Sequence, residues 1–143
     1  MTQDDIVLVQ QSWRKALVRK DSVANAFYLK LFEFDPAMEV IFEKDMRDSG
    51  RKLVHLISAV VRGLDRIEFL LPAVRDFGRR QAAVGIREEH YGAVATALLW
   101  SLEQTLEEDF TADVKAAWIV TYGVLSQTMR AREEIAVEEY ATR

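Results

Sequence analysis

Apolar residues recur every three or four positions along almost the whole chain. Ile6, Val9, Trp13 and Leu17 form one stripe, and Val23, Phe27, Tyr28, Leu31 and Phe32 form the next. This spacing follows the helical period rather than the alternation of a strand. Thr2 with Asp5 three positions on is a capping pair for the first helix. Asp21 and Ser22 offer an N-cap for the second. Asp35 followed by Pro36 predicts a short third helix carrying Met38, Ile41 and Phe42.

Residues 43–50, EKDMRDSG, are polar and end in glycine, so a connector is expected there. Leu53, Leu56, Ile57, Val60, Val61 and Leu64 then make a strongly one-sided stripe that Gly63 is placed to end. A further helix is predicted over 67–83, with Pro72 near its start and Gly85 after it. Tyr91, Val94, Ala95, Leu98, Leu102 and Leu106 give a long amphipathic helix. Phe110-Thr111 breaks it, and Thr111 with Asp113 caps a last helix through Val114, Ala117, Trp118, Thr121, Tyr122, Leu125 and Met129. The tail after Arg132 is expected to be loose, although Ile135 and Val137 could extend the helix. The pattern thus predicts an all-α fold of about seven helices in one domain spanning 1–143, without internal repeats.

Composition narrows the chemistry. The chain has 143 residues, no cysteine and only two histidines, His55 and His90. Disulfide scaffolds, thiolate metal sites, cysteine nucleophiles and three-histidine sites are therefore excluded. A net charge of −4 argues against a nucleic-acid footprint. No apolar run reaches membrane-spanning length, and the acidic start MTQDDIVLVQ carries no secretory pattern. The expectation is a cytoplasmic protein with neither nucleic acid nor membrane as partner. Nucleophile-elbow, phosphate-loop, zinc-helix and calcium-loop motifs are all missing from the sequence. His55 reads as a structural residue of an apolar helix, and His90 as a neutral residue at a helix start. The acidic runs at 107–109 and 133–134 read as solvated faces. The basic runs RKLVH and GRR are either plain surface or contacts for an anionic group.

The order of aromatic and polar features matches a known pattern. A tryptophan in the first helix is followed by FYLKLFEFDPAMEVIF, RKLVHLISAVV, DFGRRQAAVGI, EEHYGAVATALLWSLE and FTADVKAAWIVTYGVL. The chain resembles bacterial single-domain globins, the haem domains of flavohaemoglobins and neuroglobin-like bacterial globins, from about Ile6 to Met129. The resemblance implies a three-over-three helical sandwich around b-type haem. It places Phe42 against the haem and Tyr28 in the distal pocket as hydrogen-bond donor to a diatomic ligand. It puts Ser49 at the distal position usually held by His or Gln, Leu53 over the ligand site, and Lys52 near a haem propionate. Tyr91 and Glu133 match the Tyr and Glu that support the proximal ligand in flavohaemoglobins.

The chain departs from that pattern at the iron. Where the family reads GRRH, this sequence reads Gly78-Arg79-Arg80-Gln81. Haem iron is normally held by His, Cys, Met or Tyr. A glutamine amide oxygen is a weak ligand better suited to hard cations. His55 follows Leu53 by two residues, a rotation of about 200° at ~3.6 residues per turn, so it belongs to another face. Candidates for the metal are Gln81 itself, a desolvated Lys52, a Tyr28 phenolate, or no protein ligand. Three readings stay open on sequence alone. The first is a haem globin with atypical proximal ligation that takes O2 or NO for gas binding, sensing or redox chemistry. The second is a haem-free globin-fold regulatory or apolar-ligand module. The third is an NO dioxygenase or peroxidase-like globin supplied by an external reductase.

Overall fold

A computed structural model describes residues 1–40, 46–83 and 88–141, with side chains at 1–39, 46–80 and 90–128. Six α-helices follow one another: α1 Gln3–Leu17, α2 Lys20–Phe34, α3 Met46–Gly63, α4 Ile67–Ala83, α5 Glu88–Leu106 and α6 Ala112–Ala141. Short 3-10 turns at Pro36–Val40, Leu64–Arg66 and Glu107–Asp109 join them.

Local chemistry explains most of the boundaries. Thr2 and Asp5 form the reciprocal capping box at α1, with Thr2 N donating to Asp5 Oδ2 at 2.9 Å and Asp5 N donating to Thr2 Oγ1 at 3.1 Å. Thr111 caps α6 by accepting from Val114 N at 3.2 Å. Asp35 closes α2 through its N–H to Leu31 O, and its own carbonyl takes Met38 N at 3.0 Å to start the 3-10 turn at Pro36. Ile41, Phe42 and Gly85 lie outside the described residues.

Two expectations are corrected. The N-cap of α2 is Arg19, without a side-chain cap, rather than Asp21 or Ser22. The chain barely leaves helical geometry after α1, so α2 starts early and Asp21 falls in its first turn, where a carboxylate suits the positive helix end. Residues 46–50 are helix rather than connector. Asp48 pairs with Arg51 at 3.2 Å and Lys52 at 3.1 Å, one turn on, which favours helix at that acidic start. Helix α6 extends to Ala141, the alternative that Ile135 and Val137 allow. No glycine or proline interrupts residues 124–141, so nothing in the sequence stops the helix.

The helices pack in two layers, α1, α3 and α4 over α2, α5 and α6. Helix α2 lies along α5, and α5 touches α6; across the layers α1 and α4 pack on α6 and α3 crosses α2. The core between them holds Val9, Trp13, Val23, Phe27, Leu31, Met38, Leu64, Leu102 and Trp118. Trp13 and Trp118 meet edge-to-face at 6.1 Å. Each indole also finds an acceptor: Trp118 Nε1 donates to Ser12 Oγ at 2.8 Å and Trp13 Nε1 to Ser58 Oγ at 3.0 Å. These bonds tie α1 to α6 and to α3.

The α2–α3 crossing is unusually close. A Cβ built on Gly50 would stand 3.1 Å from Ala24 Cβ, tighter than ordinary contact. Gly50 therefore serves approach between helices, not termination. Gly63, by contrast, does end α3, as the pattern implies.

Candidate functional site

The α2–α3 crossing brings Tyr28 and Ser49 together. Tyr28 is on the buried face of α2, with Phe27 and Phe32 around its ring at centroid distances of 5.1 and 5.7 Å. Its Oη donates to the backbone carbonyl of Ser49 at 3.2 Å. Ser49 itself is buried in the first turns of α3. Two residues 21 apart in sequence thus share one polar contact in an apolar setting.

Burial pushes the Tyr28 phenol up to about 12. The phenolate form proposed as an iron ligand is therefore disfavoured, and the group acts as a neutral donor. Since its folded pKa lies above the ordinary value of 10.0, its stability contribution is complete below pH 10.0 and lost as pH climbs through about 12. An alkaline titration followed by phenolate absorbance is expected to show one tyrosine that ionises only near that upper value, in step with unfolding.

Below this pair the apolar stripe of α3 is strangely open. The helix buries only Ser49, Gly50 and Val61. Leu53, Leu56, Ile57 and Val60, its apolar face, are each half-buried. Across from them α4 packs chiefly on α6, leaving Leu70, Leu71 and Phe77 half-buried as well. A helix this one-sided normally covers its apolar face against another element. Here two such faces stay partly uncovered, in the layer formed by α3 and α4.

The remaining sequence-derived candidates fall unevenly. Leu53 packs against the core edge on the open stripe. Lys52 is not desolvated: its side chain is 64% exposed and its ammonium pairs with Asp48 at 3.1 Å. The desolvation needed for a neutral lysine ligand is missing, because the i, i+4 carboxylate holds the charge in water. That partner was legible from the Asp48–Lys52 spacing. Tyr91 is buried in α5, and its backbone carbonyl accepts from Tyr122 Oη at 2.8 Å. Tyr122 is a supporting contact that the sequence pattern did not single out. Gln81 lies in the last turn of α4. The side chains of Gln81 and Glu133, and all of Phe42, are outside the described residues, so only Tyr91 of the expected proximal shell is placed. His55 is exposed on α3, and His90 is half-buried in the first turn of α5. Among the described residues no cluster of three His, Cys, Asp or Glu is arranged to hold a metal ion. Nor is any described helix long and apolar enough to cross a membrane.

Two layers of three helices, with Tyr28 buried where α2 meets α3, form an architecture of the globin type. A match to the globin family over residues 25–129 settles the class: the chain belongs to the globin family. Among relatives, it is 30% identical over 125 residues to a flavohemoprotein of Xylella fastidiosa, covering 85% of this chain and 31% of that protein. A flavohemoprotein of Chromobacterium violaceum is 32% identical over 111 residues, covering 76% of this chain and 28% of that protein. The chain thus spans about three tenths of the length of these relatives. Two solved structures share the fold. One is an engineered carbene transferase from Rhodothermus marinus, assigned to nitric oxide dioxygenation (TM-score 0.84, 23% identity, 99% of both chains). The other is a hexacoordinated heme protein of an anhydrobiotic tardigrade, with TM-score 0.83 at 18% identity, covering 92% of this chain and 94% of that one.

Proposed function

We propose that this chain is a haem globin that takes a diatomic gas such as O2 or NO beside Tyr28. The half-buried apolar stripe of α3 beneath the Tyr28–Ser49 pair is the observation that carries the reading. Membership of the globin family and the flavohemoprotein relatives support it. The half-buried apolar side chains of α3 suit the flat apolar body of a haem. The fit fails at the iron on its proximal side, where the sequence has Gln81 in place of a nitrogen donor. Bound haem would supply the metal that takes the gas.

The chain's own residues have definable tasks. Leu53, Leu56, Ile57 and Val60 give one apolar wall of the proposed haem cleft. Burying such surface contributes ~25 cal/mol per Å², so contact area alone retains a large macrocycle. Tyr28, held as a neutral phenol, presents a donor. Lys52, at the solvent edge, is the proposed propionate partner in exchange for Asp48. Ser49 and Leu53 line the distal side; Phe42 and Tyr91 belong to the same proposed pocket. Redox turnover of the gas, including NO dioxygenation, would draw electrons from a separate reductase. The cytoplasm is the proposed location.

Expression with haem supplementation tests the reading. A Soret band at near-stoichiometric haem is expected, and its absence overturns the proposal in favour of a haem-free module. Tyr28→Phe checks the donor. One hydrogen bond is worth about 0.5–1.5 kcal/mol, which predicts roughly 2- to 12-fold faster gas dissociation in flash photolysis. An unchanged rate would mean that the hydroxyl stays on Ser49 when the gas binds.

A further inference from the structure

The donor set around the cleft separates two properties that usually travel together in a haem site. One is recognition of the macrocycle, which depends on apolar wall and shape. The other is recognition of iron, which depends on a protein nitrogen or sulfur.

Among the described residues, Tyr28, Lys52, both histidines, Met38 and Met46 are each committed elsewhere or badly placed for iron. Tyr28 keeps its proton and donates it to Ser49 O at 3.2 Å. Lys52 is water-exposed and paired with Asp48. His55 sits on the exposed side of α3, two residues from Leu53. Met38 is fully enclosed in the core, and Met46 lies at the exposed first residue of α3. His90 belongs to the first turn of α5, not to α4 where the family's donor stands. Residue 81 offers an amide oxygen, and the sequence contains no cysteine. The wall, in contrast, is intact: the α3 stripe is apolar and still half-open.

We propose that the cleft is a tetrapyrrole site indifferent to iron, binding metal-free porphyrin about as tightly as haem. The proposal rests on the haem reading above and deepens it by naming the ligand class. Selectivity between two ligands is a difference of affinities. With the same wall for both and no donor to the metal among the described residues, that difference collapses. Such a site accepts a porphyrin before metal insertion as readily as after it.

The test is a pair of titrations of the full chain, one with haemin and one with protoporphyrin IX in the presence of chelator. Quenching of tryptophan emission is the readout, since Trp13 and Trp118 are buried in the core and Trp100 is half-buried. Dissociation constants within about threefold of each other are expected, a gap of under ~0.7 kcal/mol. Haemin binding tighter by about tenfold or more would overturn the proposal while leaving the haem reading standing. Binding of neither would overturn both. His90→Ala serves as the second arm, with folding checked by circular dichroism. Unchanged haemin affinity is expected. A loss of about tenfold for haemin alone would identify His90 as the iron ligand and remove the proposal.

Discussion

Gln81→His is expected to convert the haem-loaded protein to a histidine-ligated globin spectrum and to slow haem loss by about 10- to 100-fold. An imidazole nitrogen is a far better donor to iron than an amide oxygen. The gain corresponds to ~1.4–2.7 kcal/mol, a range typical of tuned metal ligands. The substitution sits in the last turn of α4 and asks little of the backbone, because Gln and His are both tolerated in helices. Transfer of haem to an excess of acceptor globin, followed by absorbance, gives the rate. Protoporphyrin retention should stay as in the parent chain, since only the metal gains a partner. An unchanged spectrum would mean that residue 81 does not face the iron, and the alignment of GRRQ with the family's GRRH would fail.

Trp118→Ala is expected to cost about 3–5 kcal/mol of folding stability, the usual range for emptying a large aromatic site in a core. The indole is 4% exposed, meets Trp13 edge-to-face at 6.1 Å, and donates to Ser12 at 2.8 Å. Removing it opens a cavity between α1 and α6 and leaves Ser12 Oγ with only its own donation to Val9 O. Trp118→Phe separates the two effects. It retains much of the ring packing and drops one hydrogen bond, so a smaller cost is expected, with about 0.5–1.5 kcal/mol from the bond itself. Urea unfolding monitored by circular dichroism reads both. A cost under about 1.5 kcal/mol for the alanine variant would contradict the packing described for this layer contact.

Local signals in the sequence carried far. Thr2–Asp5, Thr111 and the 67–83 helix all appear in the structure where the residue pattern puts them, because capping and periodicity act within a few residues. The start of α3 was misread for a related reason. Gly50 and its polar neighbours look like punctuation, yet the glycine answers to Ala24 on another helix. The site shows the same division. A distal place for Tyr28 is what the family resemblance implies. That its hydroxyl rests on the Ser49 carbonyl is a contact between helices, which no periodicity encodes. Lys52 looked like a ligand while its burial was unknown; its exposure and its Asp48 partner return it to solvent. The Gln81 substitution was legible at once, being a matter of residue type alone.

Gly50 has one more bearing on the pocket. Its missing methyl group sets how near α3 lies to α2, and the Tyr28–Ser49 bond spans that same crossing. Alanine there would gain up to ~1 kcal/mol of helical preference and would force the two backbones apart by a few tenths of an ångström. The two effects oppose each other in stability but not in geometry. The approach of the two helices is thus gauged by one hydrogen atom on α3, one residue along from the serine whose carbonyl accepts the Tyr28 hydroxyl, so this single position sets the span that the bond must bridge.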